Sequence, residues 1–269
     1  MQQIKLSENE IIESANHSSK GNQPKWFVNG VWYKADHMGY EGLAEVVVSK
    51  LLAMTNITNF VAYEPVKIEF GYHNRNGCYS NNFLQKDNEL IPIERLHRLY
   101  KKIGLSRKLS QFDNTKDRIK YTVDFVEDTT NIKGFGEYLT TMLEIDSFFL
   151  NEDRHTNNIA IIRNPYTNVF SLCPYFDQGL SLLSDLDGFW LDGDTDKHIM
   201  RVTAKPFGTF ETQVSASQEL YGKQLKINFS MAEVDAILNE IKEYYSNEII
   251  NRVRYVIKNQ LQKKYNRFF

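Results

Sequence analysis

Asn151-Glu152-Asp153-Arg154-His155-Thr156-Asn157-Asn158 packs acids, an imidazole, a guanidinium and amides into one polar run. Phe148-Phe149-Leu150 precedes it and Ile159-Ala160-Ile161-Ile162 comes after, so a polar octet sits between two apolar runs. Such an octet is a surface loop or a site. Upstream, 137–150 carries apolar Leu139, Met142, Leu143 and Phe149 at helical spacing. Downstream, 159–163 and 169–173 read as short strands, with Asn164-Pro165-Tyr166-Thr167-Asn168 as their turn. A hairpin returns the chain to where it began, which predicts that Asp177, in Asp177-Gln178-Gly179, lies close to Asn158.

Toward the N-terminus the period changes from helical to alternating. Trp26-Phe27-Val28 and Val31-Trp32-Tyr33-Lys34 flank Asn29-Gly30, the strongest short hairpin signal. Leu43, Val47, Leu51 and Met54 make a helical stripe. Strands are expected over 61–70 and 78–84, with 71–77 as the joining loop. The charged break Gln85-Lys86-Asp87-Asn88-Glu89 reads as a hinge, and helices are expected over 91–103 and 115–130. An acidic, Gly-containing segment at 185–197 reads as an exposed loop. Ser230-Met231-Ala232-Glu233 opens a C-terminal helix as a capping box. The predicted fold is α+β and two-lobed: residues 1–88 form a small, mainly antiparallel β lobe with one helix, and 89–269 a mainly α-helical lobe.

The chain has 269 residues, 42% hydrophobic and 13% aromatic, enough to bury a core. No apolar run approaches the roughly 18 residues that span a bilayer, and the polar, acidic first ten residues do not read as a signal peptide. A cytoplasmic location is expected, with secretion lacking a classical signal left open. The net charge of −2 gives no global pull toward nucleic acid. Cys78 and Cys173, each in an apolar run, read as buried thiols.

An Asn and an Asp side by side supply the hard oxygen ligands that Mg²⁺ prefers, with the remaining positions left to water and substrate phosphates. Asn158 and Asp177 are therefore the predicted metal pair, and Asp153, beside them, the predicted acceptor of a hydroxyl proton. Lys34, at a strand end, supplies the cation, with Glu45 on the next helix as its carboxylate. The loop Ser18-Ser19-Lys20-Gly21-Asn22-Gln23-Pro24-Lys25 can cover phosphates with backbone N–H groups. Base, metal pair and cation are the parts of phosphoryl transfer. Ser19, Lys20 and Gly21 in that loop, with Phe83 and Leu84 beside the hinge, complete the expected contacts to the phosphoryl donor. Arg154 is expected to anchor the polar octet by an ion pair, His155 to orient it, and Asp146, near its helix's apolar stripe, to bond the loop's N–H groups.

Asp153-Arg154-His155-x-x-Asn158, succeeded by a strand pair and Asp177, resembles the catalytic and metal-binding segment of HipA-like serine/threonine kinases. A related loop occurs in phosphatidylinositol 3-kinase-like enzymes. The approach Ile145-Asp146-Ser147-Phe148-Phe149-Leu150, the segment Pro174-Tyr175-Phe176-Asp177 and the Ser18–Lys25 loop favour HipA. The resemblance implies a protein-kinase-like fold, ATP and Mg²⁺ as cofactors, a protein hydroxyl as acceptor, and autophosphorylation at Ser18 or the adjacent Ser19. It also implies an antitoxin-like partner, although the toxins carry a further region before the Ser-Gly loop where this chain has about seventeen residues. The likeness is accordingly to the shorter HipA-like kinases, including the cell-translocating type. Gln178 stands where related kinases have the Phe of Asp-Phe-Gly. A lipid or small-molecule kinase sharing the loop, and a pseudokinase binding module, are the alternatives. Asp185, Asp187, Asp192, Asp194 and Asp196 speak against anionic lipid head groups, and the full set of polar groups speaks against a pseudokinase.

Overall fold

A computed structural model describes residues 1–12 and 23–264. In chain order it runs through β1 (Gln3–Lys5), β2 (Lys25–Val28), β3 (Val31–Ala35), α1 (Glu41–Leu52), β4 (Glu64–Phe70), β5 (His73–Asn81) and β6 (Glu89–Pro92). It continues through α2 (Ile93–Lys101), α3 (Leu105–Leu109), α4 (Thr115–Thr130), α5 (Phe135–Phe149), β7 (Ala160–Asn164) and β8 (Val169–Leu172). The last elements are α6 (Thr195–Arg201), α7 (Phe210–Tyr221), α8 (Met231–Ile241) and α9 (Asn247–Lys264). These fall into two compact units. One comprises residues 1–82, 176–202 and 226–269; the other comprises 83–175 and 203–225. The first break, after Asn82, falls beside the expected hinge. A division into lobes at 88/89 stays a proposal, because the units themselves are discontinuous.

The first unit is built on a five-stranded sheet in the order β1-β4-β5-β3-β2. The β2–β3 hairpin turns at Asn29-Gly30, whose φ values of 50° and 81° suit the primed turn that matches strand twist. Trp26, Ala35, Val66, Ile68 and Phe70 fill the core on one face, and Trp26 meets Phe70 edge to face. Helix α1 is buried on nearly every side, with Val46, Val47, Val48 and Leu51 fully covered. It lies close to the sheet because glycine faces glycine: a Cβ on Gly42 would come within 2.6 Å of Gly77 backbone. A Cβ on Gly77 would in turn lie 2.1 Å from the Lys34 carbonyl oxygen, and backbone cannot step aside. Gly77→Ala is expected to cost roughly 1–3 kcal/mol or more, read as a lowered Tm. An unchanged Tm would contradict so close an approach of β3 and β5.

Two expectations for this unit need correction. Residues 73–77 are not a loop: β5 begins at His73 and pairs with β4 from Phe70↔His73 onward, leaving a short turn at Gly71-Tyr72. Their Asn and Arg side chains disguise the strand, yet find partners that offset low strand propensity: Arg75 donates to the Asp36 carbonyl and Asn76 to that of Tyr244. The sheet is mainly antiparallel, as expected, with β1 joining β4 in parallel. Finally, 185–197 is not wholly exposed. Asp185 is buried and accepts the N–H groups of Asp187 and Gly188, and α6 begins from an Asp194 cap.

The second unit packs α2, α3, α4, α5 and α7 with a small sheet in the order β6-β7-β8. Helix α4 has the predicted bounds, capped by the Asn114 side chain and ended by Asn131 in the left-handed region. Helix α2 starts at Ile93 rather than 91. Glu89–Pro92 pairs with β7 instead, and the residue before a proline resists helical geometry. Cys78 and Cys173 are both buried free thiols. Among the described residues no helix is long and apolar enough to cross a membrane.

Candidate functional site

In the first unit three of the singled-out residues meet. Lys34 leaves β3 beside Cys78 of β5, and α1 presents Glu45 one turn beyond the Gly42 contact. Lys34 Nζ donates to Glu45 Oε1 at 2.5 Å and to Asp177 Oδ1 at 3.0 Å. It also lies 3.5 Å from the Tyr63 hydroxyl, with 5.0 Å to the ring centre. Lys34 is 8% exposed and Glu45 1%, so both charges are out of water and each depends on its partner. Glu45 Oε2 accepts the Gln178 N–H at 2.8 Å, so the same carboxylate holds Lys34 and the backbone beside Asp177. Asp177 has φ 62°, a conformation that Asp tolerates better than most residues.

Burial alone would push the Lys34 ammonium down, but the charges of Asp177 and Glu45 outweigh it and hold it well above its ordinary range. Burial pushes the Glu45 carboxyl up; Lys34 pulls it back, and Asp177 adds to the rise. Lys34 is charged, because one ammonium between two carboxylates satisfies both. Its folded pKa is raised, so its contribution is complete below the unfolded value, near 10.5, and drains as pH rises through the folded one. Lys34→Met is therefore expected to lower Tm at neutral pH and to flatten the alkaline fall in Tm. Equal alkaline slopes in thermal unfolding of the two proteins would contradict a charged Lys34.

The second unit holds the polar octet. Leu150 ends α5 at φ 59° with its N–H on the Asp146 carbonyl, and the chain turns sharply into the loop. Arg154 reaches back to the helix: Nε donates to Asp146 Oδ2 at 2.8 Å and Nη2 to Oδ1 at 3.1 Å, a bidentate pair with side chains 1% and 0% exposed. Asn151 Nδ2 also donates to Asp146, at 2.9 Å. Asp146 thus grips the loop through side-chain donors as well as through its carbonyl. Arg154 Nη1 donates to the Asn158 carbonyl, so the guanidinium spans the octet.

Asp153 and Asn158 are brought together. Asn158 Nδ2 donates to the Asp153 carbonyl at 2.9 Å and lies 3.3 Å from its Oδ2. With the amide oriented by those bonds, Asn158 Oδ1 has no hydrogen-bond partner among the described residues, and that is the atom a hard cation would take. His155 Nδ1 accepts the Asn157 N–H, and Nε2 lies 3.7 Å from Asp153 Oδ2. Lys205 Nζ stands 3.5 Å from Asp153 Oδ1. Sequence reading missed Lys205: it lies 52 residues from Asp153, between α6 and α7, and no spacing signals it. Phe83 and Leu84 are half-buried at the start of this unit. Ser18, Ser19, Lys20 and Gly21 fall outside the described residues. Among the described residues no three His, Cys, Asp or Glu converge as a metal cage.

No family model matches the chain, and no curated protein matches it. Solved structures do. The proinflammatory kinase CtkA of Helicobacter pylori matches at TM-score 0.65 and 15% identity, over 97% of this chain and 94% of that one. HipA from the toxin–antitoxin system of Shewanella oneidensis MR-1, solved with HipB and operator DNA, matches at TM-score 0.50 and 13% identity, over 94% of this chain and 66% of that one. The likeness is one of fold: an antiparallel-rich sheet with a helix, and a helical unit, as in HipA-like kinases.

Proposed function

We propose that this protein is an ATP-dependent serine/threonine protein kinase of HipA type. One observation carries the reading: a buried lysine shared by a helix carboxylate and an aspartate that precedes Gln-Gly. A structural ion pair needs one carboxylate; a second, part-exposed one is what Mg²⁺ would take, leaving the Lys34 ammonium to phosphate oxygens. Bound with ATP, Mg²⁺ would offset the negative charge that develops on transfer. Asn158 Oδ1 and Asp177 are the side chains that would hold it. Lys34, kept in place by Glu45, orients the phosphates. Asp153 accepts the proton of the attacking hydroxyl, within a loop that Asp146 and Arg154 hold still and His155 orients. Lys205 places its ammonium 3.5 Å from Asp153 Oδ1. Ser19, Lys20, Gly21, Phe83 and Leu84 remain the proposed further ATP contacts, and Ser18 or Ser19 the proposed site of autophosphorylation. The acceptor is a protein, an antitoxin-like partner is kept in view, and the proposed location is cytoplasmic.

Binding of ATP is read directly by thermal shift, since a ligand that binds only the folded state raises Tm by mass action. ATP with Mg²⁺ is expected to raise the wild-type Tm, and Lys34→Met and Asp177→Asn to lose most of that rise. A shift that is independent of Mg²⁺ and survives both substitutions would reject these roles.

A further inference from the structure

The second unit carries a feature that the transfer chemistry does not use. Its segment 95–108 holds cations and no acid. Buried Ile93, Glu94, Leu96 and His97 fix the inward side of α2, which leaves Arg95, Arg98, Lys101 and Lys102 outward. Arg98 has a carboxylate, Glu94, at 3.5 Å. Arg95, Lys101, Lys102, Arg107, Lys108 and Arg118 have none within ion-pair distance among the described residues. Lys102 donates to the Leu99 carbonyl, Lys108 lies over Phe112, and Arg118 spends its guanidinium on the carbonyls of Phe112 and Phe207. Lys116 and Lys120, on the adjoining helix, are by contrast paired with Glu219 and Asp124. In a chain of net charge −2, five of these six cations fall within the acid-free residues 95–108, and the sixth, Arg118, lines a cavity with Ser106 and Leu109 of that neighbourhood.

This basic surface has a cavity of about 240 Å³, lined by Ser106, Leu109, Ser110, Arg118 and Pro206. Two ties join the cavity to the loop that bears Asp153. Glu94 Oε2 accepts both the Ser106 N–H and the Thr156 hydroxyl, each at 2.8 Å. On the other wall, Pro206 directly succeeds Lys205, whose ammonium stands beside Asp153.

We propose that this cavity and its basic rim dock an acidic stretch of the protein substrate, with an Asp or Glu side chain entering against Arg118, Ser106 and Ser110. Docking stands on the basic surface alone; only the phosphate transfer after it rests on the kinase reading. Arg118 supplies a guanidinium without a carboxylate and the serine hydroxyls supply donors, a set that suits a carboxylate. The outer cations steer an acidic segment by long-range attraction, which salt screens. A substrate so held presents a nearby hydroxyl to Asp153 through walls tied to its loop.

The test uses a short fluorescein-labelled peptide of Glu and Ser, a matched peptide of Lys and Ser, and a single-stranded oligonucleotide, each titrated by anisotropy with the full chain. The acidic peptide is expected to bind about tenfold more tightly than the basic one at low salt. Lys102→Glu combined with Arg107→Glu, both exposed, should erase that preference while circular dichroism stays unchanged. Arg118→Gln should weaken the acidic peptide alone. Equal binding of the acidic peptide by wild type and the charge-reversed protein would overturn the proposal. Tighter binding of the oligonucleotide than of the acidic peptide would also overturn it, making the patch a nucleic-acid surface. Adding ATP and Mg²⁺ separates the two readings. An acidic peptide bound yet never phosphorylated counts against the kinase and leaves docking intact; phosphorylation indifferent to acidic residues does the reverse.

Discussion

Asp153→Asn is expected to reduce phosphate transfer by about 10²–10⁴-fold, the usual contribution of a positioned general base, while ATP binding is nearly unchanged. The side chains have the same shape, and what holds the loop lies elsewhere. Arg154 binds Asp146 and the Asn158 carbonyl, and the Asn158 amide is held by the Asp153 backbone carbonyl rather than by the carboxylate alone. An amide at 153 still faces Lys205 but cannot take a proton. Single-turnover transfer of labelled phosphate, beside an ATP thermal shift on the same preparations, checks both halves. Loss of binding together with transfer would place Asp153 in ATP recognition instead of proton transfer.

The second large effect is on stability. Arg154→Ala is expected to cost about 3–5 kcal/mol, because it strands the Asp146 carboxylate in the interior without its guanidinium. At roughly 2–4 °C per kcal/mol for a chain of this size, Tm should fall by about 6–20 °C. The pair is bidentate and both side chains are buried, so solvent does not discount it. Asp146→Leu combined with Arg154→Met removes both charges at once, and its cost should be well below the sum of the single substitutions. Thermal unfolding by circular dichroism reads all of these variants. A Tm within about 2 °C of wild type for Arg154→Ala would contradict a structural role for the pair.

Much of this architecture could be read from local signals. The Asn29-Gly30 hairpin, the helix at Thr115–Thr130 and the turn into the octet each depend on neighbours in sequence, where propensity and capping decide. The division into a β-rich and a helical part was legible in the change of period near the hinge, and the kinase-like fold in the motifs around the octet. Legibility fails where partners come from afar. Residues 73–76 look like a loop until Asp36 and Tyr244 receive their side chains, and Gln3–Lys5 becomes a strand because β4 offers a free edge. Pro92 ends a strand in a stretch whose helical periodicity points to α2. At the site, Lys34 and Glu45 can be paired from sequence because eleven residues separate them across one strand and one helix turn. Lys205 and the Arg118 cavity cannot, since contacts over fifty or more residues leave no period in the sequence.

The most direct test of the kinase reading is incubation of the full chain with γ-labelled ATP and Mg²⁺, wild type beside Asp153→Asn, and then phosphoamino-acid analysis. Wild type is expected to carry Mg²⁺-dependent label on serine or threonine, and the variant to carry label reduced by orders of magnitude. Equal label in both proteins, or ATP binding without any transfer by wild type, would contradict that reading.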